Sequence, residues 1–159
     1  MGKIQKAIFA AGCFWGVQSE FDQLDGVVKT TVGYTGGDFE NPTYEDVSGG
    51  KTGHAEAIFI EYDPEKISYK DLLNKFWEIH DPTQMNRQGS DIGSNYRSAI
   101  FFTDENQKKT ALVLLKNMEK SGKFKEKIVT EVAPEQKFYP AEEYHQKYFE
   151  KTDKKACHI

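Results

Sequence analysis

Apolar and polar positions change period several times along the chain, and each change marks an element. Ile4 to Ala10 reads as a strand covered on both faces. Phe14, Val17, Phe21 and Leu24 then recur at helical spacing, opposite Ser19, Glu20, Asp22 and Gln23, so the chain turns from strand to helix near Gly12-Cys13. Val27 to Tyr34 is β-branched and predicts a second strand. From Gly36 to Gly53 the chain is rich in Gly, Asn and Pro, a loop long enough to suggest function. Ala55 to Tyr62 reads as a third strand. Ser68 with Asp71 predicts a helix start, followed by Leu72, Leu73, Phe76, Trp77 and His80 on one stripe, and Asp81-Pro82 stops it. Residues 82–96 form a second long polar loop, and Ser98 to Phe102 a strand. Thr103 is expected to cap a helix whose first turn is acidic (Asp104, Glu105) and whose end is basic (Lys116, Lys120), with Gly122 ending it. Val129 to Val132 is expected to be the last strand.

The order β-α-β, loop, β-α, loop, β-α-β predicts an α+β domain with helices on one face of a mostly antiparallel sheet. Residues 1–149 form a single expected domain. Tyr144, Tyr148 and Phe149 suggest amphipathic turns after Pro140, and the polar, Lys-rich segment 150–159 is expected to be a mobile tail.

Composition narrows the function classes. The 159 residues are 38% hydrophobic and 29% charged, as for a single globular domain. A net charge of −4 speaks against a nucleic-acid binder. Two cysteines exclude a disulfide-stapled mini-protein and a four-cysteine zinc site. No metal site is expected: the four histidines (His54, His80, His145, His158) show no ligand spacing. Gly49-Gly50-Lys51-Thr52 lacks the upstream glycine of a phosphate loop, since Glu45 stands there. No apolar run is long enough to span a membrane. Ala10-Ala11-Gly12-Cys13 looks like a lipoprotein cleavage box, but the apolar stretch from Ala7 to Gly12 is short for an export segment. Lys6 replaces the Ser or Thr that N-myristoylation needs. The expectation is a cytoplasmic protein, with no membrane or nucleic-acid partner.

Several residues could carry chemistry. Cys13 falls where a strand meets a helix N-terminus, a setting that favours a thiolate, although its position also fits an inert core cysteine. Glu56 shares a strand face with Ile58, Ile60 and Tyr62. A carboxyl group held on an apolar face can act as an acid near neutrality, whereas one at a wet strand end is ordinary. Tyr44, Asp91 and Tyr96 lie in the two long loops and could converge with Cys13 and Glu56 on one pocket.

Four ordered blocks add a family resemblance. Gly12-Cys13-Phe14-Trp15, Gly33-Tyr34-Thr35-Gly36-Gly37, the run from Pro42 to Glu56 and the run from Phe76 to Ser98 resemble the peptide methionine sulfoxide reductase A family, with a weaker match at Tyr144-His145-Gln146. The resemblance implies a two-layer α+β sandwich with a ferredoxin-like βαββαβ core, a mixed, mostly antiparallel sheet and a long irregular C-terminal segment. It implies reduction of the S epimer of methionine sulfoxide, free or in proteins, as in the repair of oxidised methionine. By the same resemblance Cys13 is the nucleophile and Glu56 the acid. Tyr44 and Tyr96 bond the sulfoxide oxygen, Asp91 holds the substrate end, and Phe14 and Trp15 form an apolar cage for the S-methyl group. No cofactor is implied. A Cys13 sulfenic acid needs a resolving thiol, for which Cys157 is the candidate, with a thioredoxin-like dithiol as final reductant. The alternative for Cys157 is an idle tail thiol. Two rival readings are a thiol hydrolase using Cys13 and His54, and a module that binds oxidised methionine without turning it over.

Overall fold

The computed structural model describes residues 3–148, so the expected 149/150 boundary and the 150–159 segment lie outside the described residues. In chain order, β1 (Gln5–Ala11) leads to α1 (Phe14–Asp22), β2 (Val27–Thr35), α2 (Tyr44–Ser48) and β3 (Ala55–Tyr62). Then follow α3 (Tyr69–Glu78), the short strands β4 (Arg87–Gln88) and β5 (Asp91–Ile92), and β6 (Ser98–Phe102). The described chain ends with α4 (Glu105–Ser121), β7 (Glu131–Pro134) and β8 (Tyr139–Pro140).

Among the described residues the main sheet runs β7-β6-β1-β3-β2-β8. Its four central strands, in the order β6-β1-β3-β2, pair antiparallel, and α1 and α3 make the two crossovers. That is the expected ferredoxin-like βαββαβ core. Only β7 pairs parallel, with β6, which makes the sheet mixed.

The two faces of β1 explain why its apolar positions do not alternate. Ala7, Phe9 and Ala11 pack with Phe14, Val17 and Phe21 of α1 and Leu72, Leu73 and Phe76 of α3. Ile8 and Ala10 face the other way, into a smaller cluster with Ala57, Ala99 and Phe101 that Phe59, Ala133 and Phe138 cover. The helices therefore sit on one face, and the chain after β7 helps to close the opposite one.

Four local expectations are corrected. The cap of α4 is Asp104, not Thr103: its carboxylate accepts from the Gln107 N–H at 2.8 Å, while the Thr103 N–H donates to Gln107 Oε1 at 2.9 Å. The last expected strand is Glu131–Pro134 rather than Val129–Val132. The Val129 N–H donates instead to the Pro82 carbonyl (2.8 Å), and Thr130 Oγ1 bonds Ser98 Oγ (2.8 Å). The 36–53 loop holds α2, started by a reciprocal Thr43–Asp46 capping box. The 82–96 loop holds the β4–β5 hairpin and a 3-10 turn, Ser94–Tyr96. Short elements of this kind escape periodicity because they span too few residues to show a period. Ser68 and Asp71 cap α3 as expected, and Gly122 ends α4 in the left-handed region (φ 73°).

Gly33 has no room for a side chain. It pairs with Pro140 of β8, and a Cβ there would run into the Tyr139 carbonyl oxygen and the Phe138 ring. Gly33→Ala is expected to destabilise the protein by about 1–3 kcal/mol through overpacking. Thermal denaturation checks this, and an unchanged melting temperature would show that β8 yields freely.

Candidate active site

The site is built around the end of β1. Gly12 turns the chain with φ 94°, a conformation that glycine adopts without steric cost, and places Cys13 at the N-cap of α1. The first amides of a helix lack intrahelical partners and form its positive end, so this position stabilises negative charge. Cys13 is buried there, at 7% exposure.

Glu56 comes to the same helix end from β3. It lies opposite Tyr34 in the β2–β3 register and is 1% exposed, which excludes a solvated strand end. Its Oε1 accepts the Phe14 N–H at 3.2 Å. Carboxyl group and thiol thus flank the same turn of backbone, although 43 positions separate them in sequence, counting from 13 to 56.

Two phenols face this pair. Tyr44 begins α2, and its ring lies 6.5 Å from those of Phe14 and Trp15 and 4.4 Å from that of His145. Burial pushes its pKa up, as do the charges of Glu56 and Cys13, against hydrogen bonds with Ser48 and Tyr96. Tyr96 ends the 3-10 turn, and its pKa is also raised, first by burial and then by Glu56, Tyr44, Asp91 and Cys13. Both phenols therefore keep their protons at neutral pH and are available as hydrogen-bond donors. Asp91, half-buried in β5, is a further charge that acts on Tyr96. Cys13, Glu56, Tyr44 and Asp91 are thus brought within electrostatic reach of Tyr96, and the five residues come from four separate segments.

Phe14 and Trp15 differ in setting. The Phe14 side chain is fully buried against Tyr34 (5.7 Å between ring centroids) and His145 (5.3 Å). Trp15 is partly exposed and stacks on Tyr148, with centroids 3.7 Å apart and planes 9° from parallel. Its indole N–H donates to His145 Nδ1 at 2.9 Å. Because Nδ1 accepts, the His145 proton resides on Nε2 and the ring is neutral. Burial lowers the His145 pKa, and the nearby Glu142 charge opposes it.

His145, Tyr148, Glu142 and Tyr34 are site residues that periodicity marks at most as structural positions, Tyr34 in a strand and Tyr148 on an amphipathic turn. All but Tyr34 come from the irregular C-terminal segment, and the sequence signal that could have found them is the weak Tyr144-His145-Gln146 block. Gln146 docks that segment: its side chain bonds both the N–H and the carbonyl of Val32, each at 2.9 Å. His54, by contrast, is occupied elsewhere. Its Nδ1 accepts from the Gly37 N–H (3.1 Å) and its Nε2 donates to the Phe39 carbonyl (2.6 Å). Both ring nitrogens hold a loop, which disfavours the Cys13–His54 hydrolase. Cys157 lies outside the described residues.

Among the described residues, no cluster of three or more His, Cys, Asp or Glu side chains is arranged to hold a metal ion. Nor is any helix among them long and apolar enough to cross a membrane.

Comparison with known proteins agrees with this chemistry. A family model described as peptide methionine sulfoxide reductase matches residues 5–159. A peptide methionine sulfoxide reductase MsrA of Methanothermobacter thermautotrophicus is 51% identical over 159 residues, covering 100% of this chain and 94% of that protein. The reduced form of Mxr1 from Saccharomyces cerevisiae superposes with a TM-score of 0.89 at 36% identity, over 96% of this chain and 87% of that one. Mxr1 in complex with Trx2 gives a TM-score of 0.66 at 29% identity, over 99% and 89%. The chain belongs to the peptide methionine sulfoxide reductase family, and it is a thiol-dependent oxidoreductase of methionine sulfoxide.

Proposed function

We propose that this chain reduces the S epimer of methionine sulfoxide, free and in oxidised proteins, with Cys13 as nucleophile, Glu56 as acid and Cys157 as resolving thiol. The observation that carries the reading is the meeting of Cys13 and the buried Glu56 at one helix N-terminus, under two protonated phenols.

A sulfoxide sulfur is a poor electrophile until its oxygen is bonded or protonated. Tyr44 and Tyr96 donate to that oxygen, and Glu56 supplies a proton as the Cys13 sulfur attacks. The S–O bond of the substrate breaks and the oxygen passes to Cys13. Sulfoxide sulfur is reduced by two electrons to the thioether, and Cys13 is oxidised by two electrons to the sulfenic acid. Phe14 and Trp15 cage the S-methyl group, where sulfur–aromatic contacts help, and Asp91 holds the substrate backbone. The Cys157 thiol then displaces water from the sulfenic acid to form a Cys13–Cys157 disulfide. A thioredoxin-like dithiol opens it by exchange, taking the oxidation onto itself. The yeast relative seen in complex with Trx2 supports that choice of reductant, and the cytoplasm is the compartment that keeps such a dithiol reduced. The chain's role is the repair of oxidised proteins.

An aromatic cage around the methyl group and two phenols around the oxygen fit one hand of a chiral sulfoxide. The expected result is reduction of dabsyl-methionine-S-sulfoxide with dithiothreitol, while the R epimer is left behind. Comparable rates on the separated epimers would overturn the assignment. Binding of sulfoxide without release of methionine would overturn the reductase reading in favour of a binding module.

A further inference from the structure

We infer that Glu142 is a positioning residue for the reductive step, a carboxylate clamp that holds Tyr44 in place over the reacting atoms. The inference rests on the reading of Tyr44 as a donor to the sulfoxide oxygen.

The geometry is specific. Glu142 follows β8 on the C-terminal segment and is half-buried. Its Oε1 accepts the Tyr34 hydroxyl at 2.8 Å, and its Oε2 accepts the backbone N–H of Tyr44 at 2.9 Å. One carboxylate thus spans two elements. Tyr34 is the cross-strand neighbour of Glu56, and Tyr44 is the first residue of α2.

A clamp is useful because α2 is anchored in the core by a single buried residue, Val47, three positions beyond Tyr44. A five-residue helix is far below the length at which a helix is stable alone. Its Thr43–Asp46 capping box is local, so it shapes the turn without locating it in the molecule. His54 holds the earlier part of the same loop through Gly37 and Phe39. Glu142 reaches the residue that carries the phenol and ties it to the strand beside the acid.

The two bonds, rather than the charge itself, make the clamp. Burial works to raise the Glu142 pKa, but hydrogen bonds from the Tyr44 N–H, its own backbone N–H and the Tyr34 hydroxyl outweigh it and hold the group below the usual carboxylate range. An ionised carboxylate accepts at both oxygens, as the two donors demand. Glutamine can accept the Tyr44 N–H through its carbonyl and donate its NH₂ to the Tyr34 oxygen, so it keeps both bonds with one reversed. Alanine keeps neither.

The test is a double-mutant cycle on the single-turnover release of methionine from free methionine-S-sulfoxide. Glu142→Ala is expected to slow that step by on the order of 10²-fold, the cost of a small misplacement of a catalytic group, with substrate KM little changed. Glu142→Gln is expected to recover most of the rate. In a Tyr44→Phe background, Glu142→Ala is expected to cost little further, because the phenol it positions is already gone. A purely structural role would cost the same in both backgrounds, and that outcome overturns the inference. If Tyr44→Phe alone keeps the wild-type rate, the reading of Tyr44 as donor fails instead. Should Glu142→Ala fail to fold, the cycle is run with Tyr34→Phe, which removes one arm of the clamp. Full additivity of Tyr34→Phe with Tyr44→Phe then counts against the clamp.

Discussion

Glu56→Gln is expected to slow the release of the first methionine by on the order of 10²-fold or more, the usual cost of losing a positioned acid. The substitution is nearly isosteric, which suits a residue with 1% exposure. The amide oxygen can still accept the Phe14 N–H, the contact that Oε1 makes at 3.2 Å, so the cap of α1 survives. What disappears is the transferable proton. Thermal denaturation is therefore expected to match the parent closely, and substrate binding to persist. Tyr44 and Tyr96 remain in place and account for residual activity, since both stay protonated and can still polarise the S–O bond. The measurement is quenched-flow single turnover with the enzyme in excess over methionine-S-sulfoxide. A rate close to the parent's would remove Glu56 from the chemistry and leave it a buried helix cap.

Cys157→Ser is expected to release about one methionine per enzyme and then stop when thioredoxin is the sole reductant. The reductive half needs only Cys13, so the burst survives. The chain has two cysteines, so the variant has no second thiol to close a disulfide. Reach does not forbid the pairing. Tyr148 stacks on Trp15, two residues beyond Cys13, so the last described part of the chain lies beside the site. From Tyr148 to Cys157 is nine residues, which extend to roughly 30 Å at most. Lys154 and Lys155 would favour a thiolate at Cys157. A small thiol such as dithiothreitol should rescue turnover by attacking the sulfenic acid directly. Mass spectrometry of the parent enzyme, oxidised with substrate and never reduced, should find a Cys13–Cys157 peptide. Full thioredoxin-driven turnover by the variant, with no such peptide from the parent, would show the cysteine to be idle.

How far each site residue is legible depends on its reach in sequence. The turn that presents Cys13 is readable because a strand pattern gives way to a helical one across Gly12-Cys13, and both patterns are local. Glu56 stands out as a carboxylate in an apolar alternation, yet whether it is wet or buried depends on β2, β1 and α1 packing around it. Tyr44, Asp91 and Tyr96 are visible only as polar and aromatic residues in long loops, and their family blocks rather than their spacing single them out. Glu142 and His145 are the least legible. Each looks like one more polar residue in an irregular, exposed-looking stretch, and each finds its partner about a hundred residues or more away, with separations of 98, 108 and 130 positions.

The α+β class, the main strands and the long helices are legible from residue order alone, because hydrophobic periodicity and capping residues act over one or two turns of chain. The family is legible there too, through four ordered blocks of residues. The parallel β7, the short α2 and β4–β5 elements inside the loops, the fixing of His54 away from Cys13, and the return of the C-terminal segment to the site emerge only in the folded chain. These depend on long-range pairing. A two-residue strand or a five-residue helix has too little local free energy to declare itself, and it forms because a distant side chain or strand edge satisfies its backbone.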